Sequence, residues 1–155
     1  MHLVLRSSKA KGQYSFLRPQ NAKTVKSIID KFSFIYGVQI LSQASVGNHL
    51  HLHLRLGNRF GYKPFIRAIT GAIAMAISGR SRWTAMRIQG PSSTSKGESR
   101  EILAGKFWDY RPFTRVVEGL RSFLRMEDYV RINRLEALGI NRATARSIVD
   151  VGKSR

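Results

Sequence analysis

Apolar and polar positions alternate strictly through "GNHLHLHLRL": Leu50, Leu52, Leu54 and Leu56 recur at every second residue, with His49, His51, His53 and Arg55 between them. A period of two is the signature of a strand, so the leucines share one face and the histidines the other. The leucine face must be core. The histidine face is then the open side of a sheet, or is covered by something polar. "HLVLRSS" (His2 to Ser8) and "VQILSQASV" read as two further strands, and Gly47-Asn48 has the composition of a two-residue hairpin turn between the second of these and the histidine strand. Elsewhere the period becomes helical. Val25, Ile28, Ile29, Phe32, Ile35 and Tyr36 predict a helix with Asn21 as N-cap and Gly37 as its stop. "YKPFIRAITGAIAMAISG" predicts a second helix, closed by Gly79, and "WTAMRIQG" a short strand. From about Val116 to Leu138 a long helix is expected, with Val116, Leu120, Phe123, Leu124, Val130, Leu135 and Leu138 as its apolar side.

Between these lie a basic loop, "KAKGQYSFLRPQ", and a Pro/Ser/Gly-rich stretch, "PSSTSKGES", that reads as a mobile loop over about residues 90–104. "KFWDYRPFTRVV" looks extended, with Pro112 confining it to a sheet edge or a strand end. "GINRATARSIVDVGKSR" adds a short basic helix or tail. The order predicts an α+β, ferredoxin-like (RRM-like) antiparallel sheet, βαββαβ, with an additional C-terminal helix. One domain over 1–142 and a short basic tail over 143–155 are expected. Such a sheet serves many RNA- and DNA-handling proteins, so fold alone does not give function.

Charge narrows the partners. The 155 residues carry 27 Lys+Arg against 9 Asp+Glu, a formal net charge of +18. A compact domain so charged repels itself, and a polyanion relieves that repulsion. Nucleic acid fits best, through phosphate neutralisation and counterion release. A membrane surface fits less well, because no basic amphipathic segment stands apart from the fold. No apolar run reaches the ~18 residues of a membrane span. The chain has no Cys, which excludes a disulfide framework, cysteine metal ligands and a thiol nucleophile. No signal-peptide layout opens the sequence, so the expected location is cytoplasmic.

Two neutral imidazoles two residues apart on one strand face can hold a divalent ion and leave most of its coordination sphere open. Alone, an exposed polar sheet face is the weightier reading of His49, His51 and His53. A second element shifts the balance. Tyr129 and Asn133 are four apart and share one helical face, and Arg121 and Arg125 continue the row, which drifts by roughly 40° per step. Tyr129 then sits at the edge of the buried stripe, where a phenol can reach a site. Packing at a helix boundary is its structural alternative.

Three stretches carry a family resemblance, in order along the chain. "NHLHL" (Asn48 to Leu52), "FWDYRPFTRVV" (Phe107 to Val117) and "YVRINRLEALG" (Tyr129 to Gly139) resemble motifs of the HUH endonucleases with a single catalytic tyrosine, the small insertion-sequence (IS200-like) transposases and REP-associated tyrosine transposases. The resemblance covers roughly residues 2–140 and is weakest over 84–106. Arg134 stands where the family usually has proline, and His53 is an additional histidine. The resemblance implies metal-dependent cleavage of single-stranded or hairpin DNA, with Tyr129 as nucleophile and a 5′-phosphotyrosine intermediate, in DNA transposition or a related mobilisation. It implies Mg²⁺ or Mn²⁺ on His49, His51 and Asn133, with His53 an alternative partner in the histidine pair. DNA would be gripped by Arg6, Arg55, Arg111, Arg115, Arg121 and Arg125. Trp83, Trp108, Tyr110 and Phe113 are candidates either for base stacking or for core packing. A homodimer is compatible with the family, and docking of the tyrosine helix in cis or in trans is left open. The rival reading is a non-catalytic basic nucleic-acid-binding module of the same fold. It explains the charge but not Tyr129 and Asn133 in phase. A zinc hydrolase is poorer, lacking an H-E-x-x-H helix and any Cys ligand.

Overall fold

A computed structural model describes residues 1–79 and 106–152. Four strands, β1 (His2–Arg6), β2 (Val38–Val46), β3 (His49–Leu56) and β4 (Phe113–Arg115), form one sheet in the order β2-β3-β1-β4. Every neighbouring pair is antiparallel. Helices α1 (Pro19–Tyr36) and α2 (Tyr62–Ser78) lie in the chain before and after the β2–β3 hairpin; α3 (Leu120–Ala137) and α4 (Arg142–Val151) follow β4.

The leucine face is the core. Leu3 and Leu5 of β1 pair with Leu52 and Leu50 of β3, and all four are buried. Against them pack Val25 and Ile29 of α1 and the i, i+4 ladder Phe65, Ile69, Ile73 and Ile77 of α2. The β2–β3 turn is Gly47-Asn48 as expected, with Gly47 at φ 56 and Val46 opposite His49. The register of β2 slips between Ile40 and Ser42. Through that bulge Val38 and Ile40 lie on the leucine face, while Ser42 and Ala44 lie on the histidine face opposite His53 and His51. Gly61, at the start of α2, is a close approach: a Cβ there would sit 2.3 Å from the Tyr36 carbonyl oxygen.

Several boundaries differ from the sequence reading. Helix α1 starts at Pro19, whose fixed φ suits the first helical position, and Arg18 is the N-cap. Asn21 instead donates through Nδ2 to the carbonyls of Gln13 and Ser15, tying down the basic loop. The strand expected at "WTAMRIQG", Trp83 and the Pro/Ser/Gly-rich loop lie outside the described residues. The strand beside β1 is Phe113–Arg115, just after Pro112 and at the sheet edge. It is held there by the segment before it. Ser7 Oγ donates to the Phe107 carbonyl, and Asp109 accepts from Ser8 N–H and Oγ (2.7 and 2.8 Å). Trp108 Nε1–H donates to the Thr70 carbonyl (2.9 Å), with the indole stacked on Phe16. Trp108 is therefore a packing residue.

Helix α3 begins at Leu120, after Gly119 at φ 75, and not at Val116. Its inward stripe is also different. Leu120, Leu124 and Leu138 are 73%, 50% and 73% exposed, while Val130 and Asn133 are buried. The reason is the surface it covers: α3 lies over the histidine face, against β2 and β3. A polar surface selects Asn133 and half-buried Phe123 and Met126, and the leucine row turns outward. The basic C-terminal stretch is a helix over Arg142–Val151, capped by Asn141 Oδ1, which accepts the Thr144 N–H (2.9 Å). It docks on α3 through Ala145 and Val149, with Arg142 paired to Glu136 at 3.0 Å. Among the described residues no helix is long and apolar enough to cross a membrane.

Candidate functional site

Opposed residues of an antiparallel pair point to the same face, so the register assembles the site. His2 lies opposite both His53 and Arg115, Val4 opposite His51 and Phe113, and Arg6 opposite His49. With Arg55 two residues beyond His53 on β3, one sheet face thus gathers four histidines and three arginines, and α3 closes over it. His51 and His53 are 4% and 1% exposed, and His2 is also buried. His49 stays half-buried near the hairpin.

Tyr129 meets this cluster from α3. Its ring stands edge-on to His51 at 5.4 Å between centroids and to His2 at 5.7 Å. The His49 and His51 rings are 4.8 Å apart. Phe123 covers His53 at 4.9 Å, so this third strand histidine is packed under the first turn of α3, away from Tyr129. Asn133 follows Tyr129 by one turn and is buried, with Nδ2 donating to the Tyr129 carbonyl (2.7 Å).

No protein-family model matches this chain, and no curated protein does. Solved structures do. One is a candidate transposase from Deinococcus radiodurans R1, similar over 86% of this chain and 88% of its own, with TM-score 0.50 and 15% identity. Another is a REP-associated tyrosine transposase bound to a REP hairpin, similar over 87% of this chain and 66% of its own, with TM-score 0.59 and 12% identity. This chain has the fold of a tyrosine transposase.

On this transposase fold the expected arginines divide. Arg115 and Arg125 line a cleft of about 290 Å³ together with Tyr129, Ser122 and Met126. Arg6 is beside His49 and is shared with Asp109 at 3.7 Å. Arg55 lines a separate, largely apolar cavity of about 650 Å³ with His53, Leu120 and Phe123. Arg111 and Arg121 are exposed and line neither space. Tyr110 and Phe113 are exposed aromatics. The sequence reading missed His2 as a member of the site. Its signal was available: it is the first residue of an alternating strand, on the face opposite Leu3 and Leu5.

Electrostatics keep the imidazoles neutral. Burial, then the neighbouring His49 and His2, lower the His51 pKa to about 4. Burial lowers His49 as well, helped by Arg6, and burial followed by His53 lowers His2. Burial also lowers His53, although Glu127 acts in the opposite direction. Neutral imidazole is the form a metal requires.

Among the described residues no three His, Asp or Glu side chains form a ready cation cage. The donors near Tyr129 nevertheless suit a divalent ion with an open sphere. His49 Nδ1 is held by Asn48 Oδ1 (2.8 Å), His51 Nδ1 faces His2 Nε2 (3.2 Å), and His51 Nε2 is buried without a partner.

Proposed function

We propose that this protein is a metal-dependent single-stranded DNA endonuclease and strand transferase of the HUH type, acting through Tyr129 in DNA transposition or a related mobilisation. The observation that carries the reading is the contact of the Tyr129 ring with His51 and His2, together with the place of Tyr129 in the lining of a cleft that also holds Arg115 and Arg125. We read the sheet as ferredoxin-like and α3 as the tyrosine helix, docked in cis. The hairpin bound by one transposase of this fold makes hairpin-bearing single strands the substrate class to try first.

Phosphoryl transfer needs in-line placement and neutralised charge more than anything else. Arg115 and Arg125 hold the phosphate oxygens in the cleft. The Tyr129 hydroxyl gives its proton to water and its oxygen attacks phosphorus. The P–O3′ bond breaks, its electron pair leaves on the 3′ oxygen, and that oxygen takes a proton. The products are a 5′-phosphotyrosine and a free 3′-OH. The covalent link conserves the phosphodiester, so a second 3′-OH can reverse the step on another strand. His49, His51 and the Asn133 amide would hold the divalent ion, which polarises the phosphate when bound. Two imidazoles make Mn²⁺ a better match than Mg²⁺.

The test is incubation of the full chain with labelled hairpin-bearing single strands and Mn²⁺, followed by denaturing electrophoresis. A covalent protein–DNA adduct is expected, absent in Tyr129→Phe and in EDTA. An adduct that survives Tyr129→Phe would sink the reading. Tight binding without any adduct would favour a non-catalytic nucleic-acid binder.

A further inference from the structure

We infer that His2 is a positioning residue: its Nε2 accepts the His51 Nδ1–H, fixing the tautomer that leaves His51 Nε2 as a free lone pair. The two nitrogens are 3.2 Å apart, and the rings are stacked at 8° with centroids 5.4 Å apart. The contact is diagonal across β1 and β3, since the residue directly opposite His51 is Val4 and the one opposite His2 is His53.

Only two proton placements satisfy a single hydrogen bond between neutral rings. If His2 donated, His51 would carry its proton on Nε2. That atom is buried without a partner, so a desolvated N–H would have no acceptor. If His51 donates, the buried Nε2 is a lone pair that a cation can use. The neighbouring ligand is built the same way. An amide oxygen can only accept, so Asn48 Oδ1 fixes the proton of His49 on Nδ1 and leaves its Nε2 bare. Two histidines on one strand, each with Nδ1 engaged by a protein acceptor, leave the same nitrogen, Nε2, as the free lone pair. Outer partners of this kind set ligand orientation and basicity. His2 also touches the edge of Tyr129, so one side chain braces both the histidine and the phenol.

The tautomer stands on this geometry alone, whereas its use in holding metal rests on the nuclease reading. The test is long-range ¹H–¹⁵N correlation on the ¹⁵N-labelled, metal-free full chain at pH 8, together with Mn²⁺ titration by calorimetry. Wild type should show His51 protonated on Nδ1. His2→Phe keeps a flat ring but offers no acceptor. It should lose the single tautomer and weaken Mn²⁺ binding by roughly 10- to 100-fold. His2→Gln, whose carbonyl can accept, should recover most of both. A wild-type His51 protonated on Nε2 overturns the inference whatever the variants do. So does a folded His2→Phe with unchanged tautomer and unchanged Mn²⁺ affinity. If wild type shows the Nδ1–H tautomer but binds no Mn²⁺, His2 keeps its positioning role and the metal part of the nuclease reading fails.

Discussion

Acidification from pH 7.5 to pH 5 should remove about 2 kcal/mol of folding stability through His51 alone. Its pKa is about 4 in the folded chain against 6.5 for a free imidazole, because burial, then His49 and His2, disfavour the cation. A depressed histidine pKa means that between these values the unfolded chain binds the proton and the folded one does not. Stability is therefore full above pH 6.5, falls as the pH drops through that value, and has lost about 3 kcal/mol by pH 4. His2, His49 and His53 are lowered too and act in the same direction. At ~2–4 °C per kcal/mol for a chain of this size, the pH 5 effect of His51 is a Tm loss of roughly 4–8 °C. The assay is urea denaturation at pH 7.5, 6.5, 5.5 and 5 in EDTA, on wild type and His51→Gln. The variant should show the shallower slope between pH 6.5 and 5. Equal slopes, or a wild type whose stability is flat over that window, would refute a neutral buried His51.

Other outcomes follow from the same contacts. Phe65 is fully buried at the start of the α2 ladder, so Phe65→Ala should cost about 3–5 kcal/mol by chemical denaturation. Gly47→Ala meets open space, so its cost is only that of φ 56 in a residue with a Cβ, about 1–2 kcal/mol by the same measurement. Removing both cleft arginines, as Arg115→Ala with Arg125→Ala, should weaken single-strand binding and flatten the log–log salt dependence by about 1.4, read by fluorescence anisotropy across a salt series. Arg111→Ala, at an exposed position away from the cleft, should change that slope by less than half as much.

The periodicities in the chain placed β1, β2, β3 and the bodies of the long helices, although α3 starts at Leu120 and not at Val116. Alternation in β3 assigned the leucines to a core face and the histidines to the other, and the i, i+4 ladder of α2 needed no tertiary information to be read. Gly37, Gly47 and Gly79 marked ends and a turn because each takes a positive φ that side chains with a Cβ resist. What periodicity could not decide was which surface each element meets. A helix with two candidate stripes exposes whichever does not match its neighbour, and α3 lies on a histidine face, so Val130 and Asn133 went inward and Leu120, Leu124 and Leu138 outward. Nor could it reveal pairings between distant strands. His2 joined His51 and Arg115 because β1 runs between β3 and β4, and that follows from register across the whole sheet. The sequence by itself determined that histidines would share one face and that Tyr129 and Asn133 would share another. Only the tertiary structure laid one face on the other, packed His53 under Phe123, and set His2 behind His51, because contact between residues far apart in the chain is fixed by the global packing of the core and not by any local pattern.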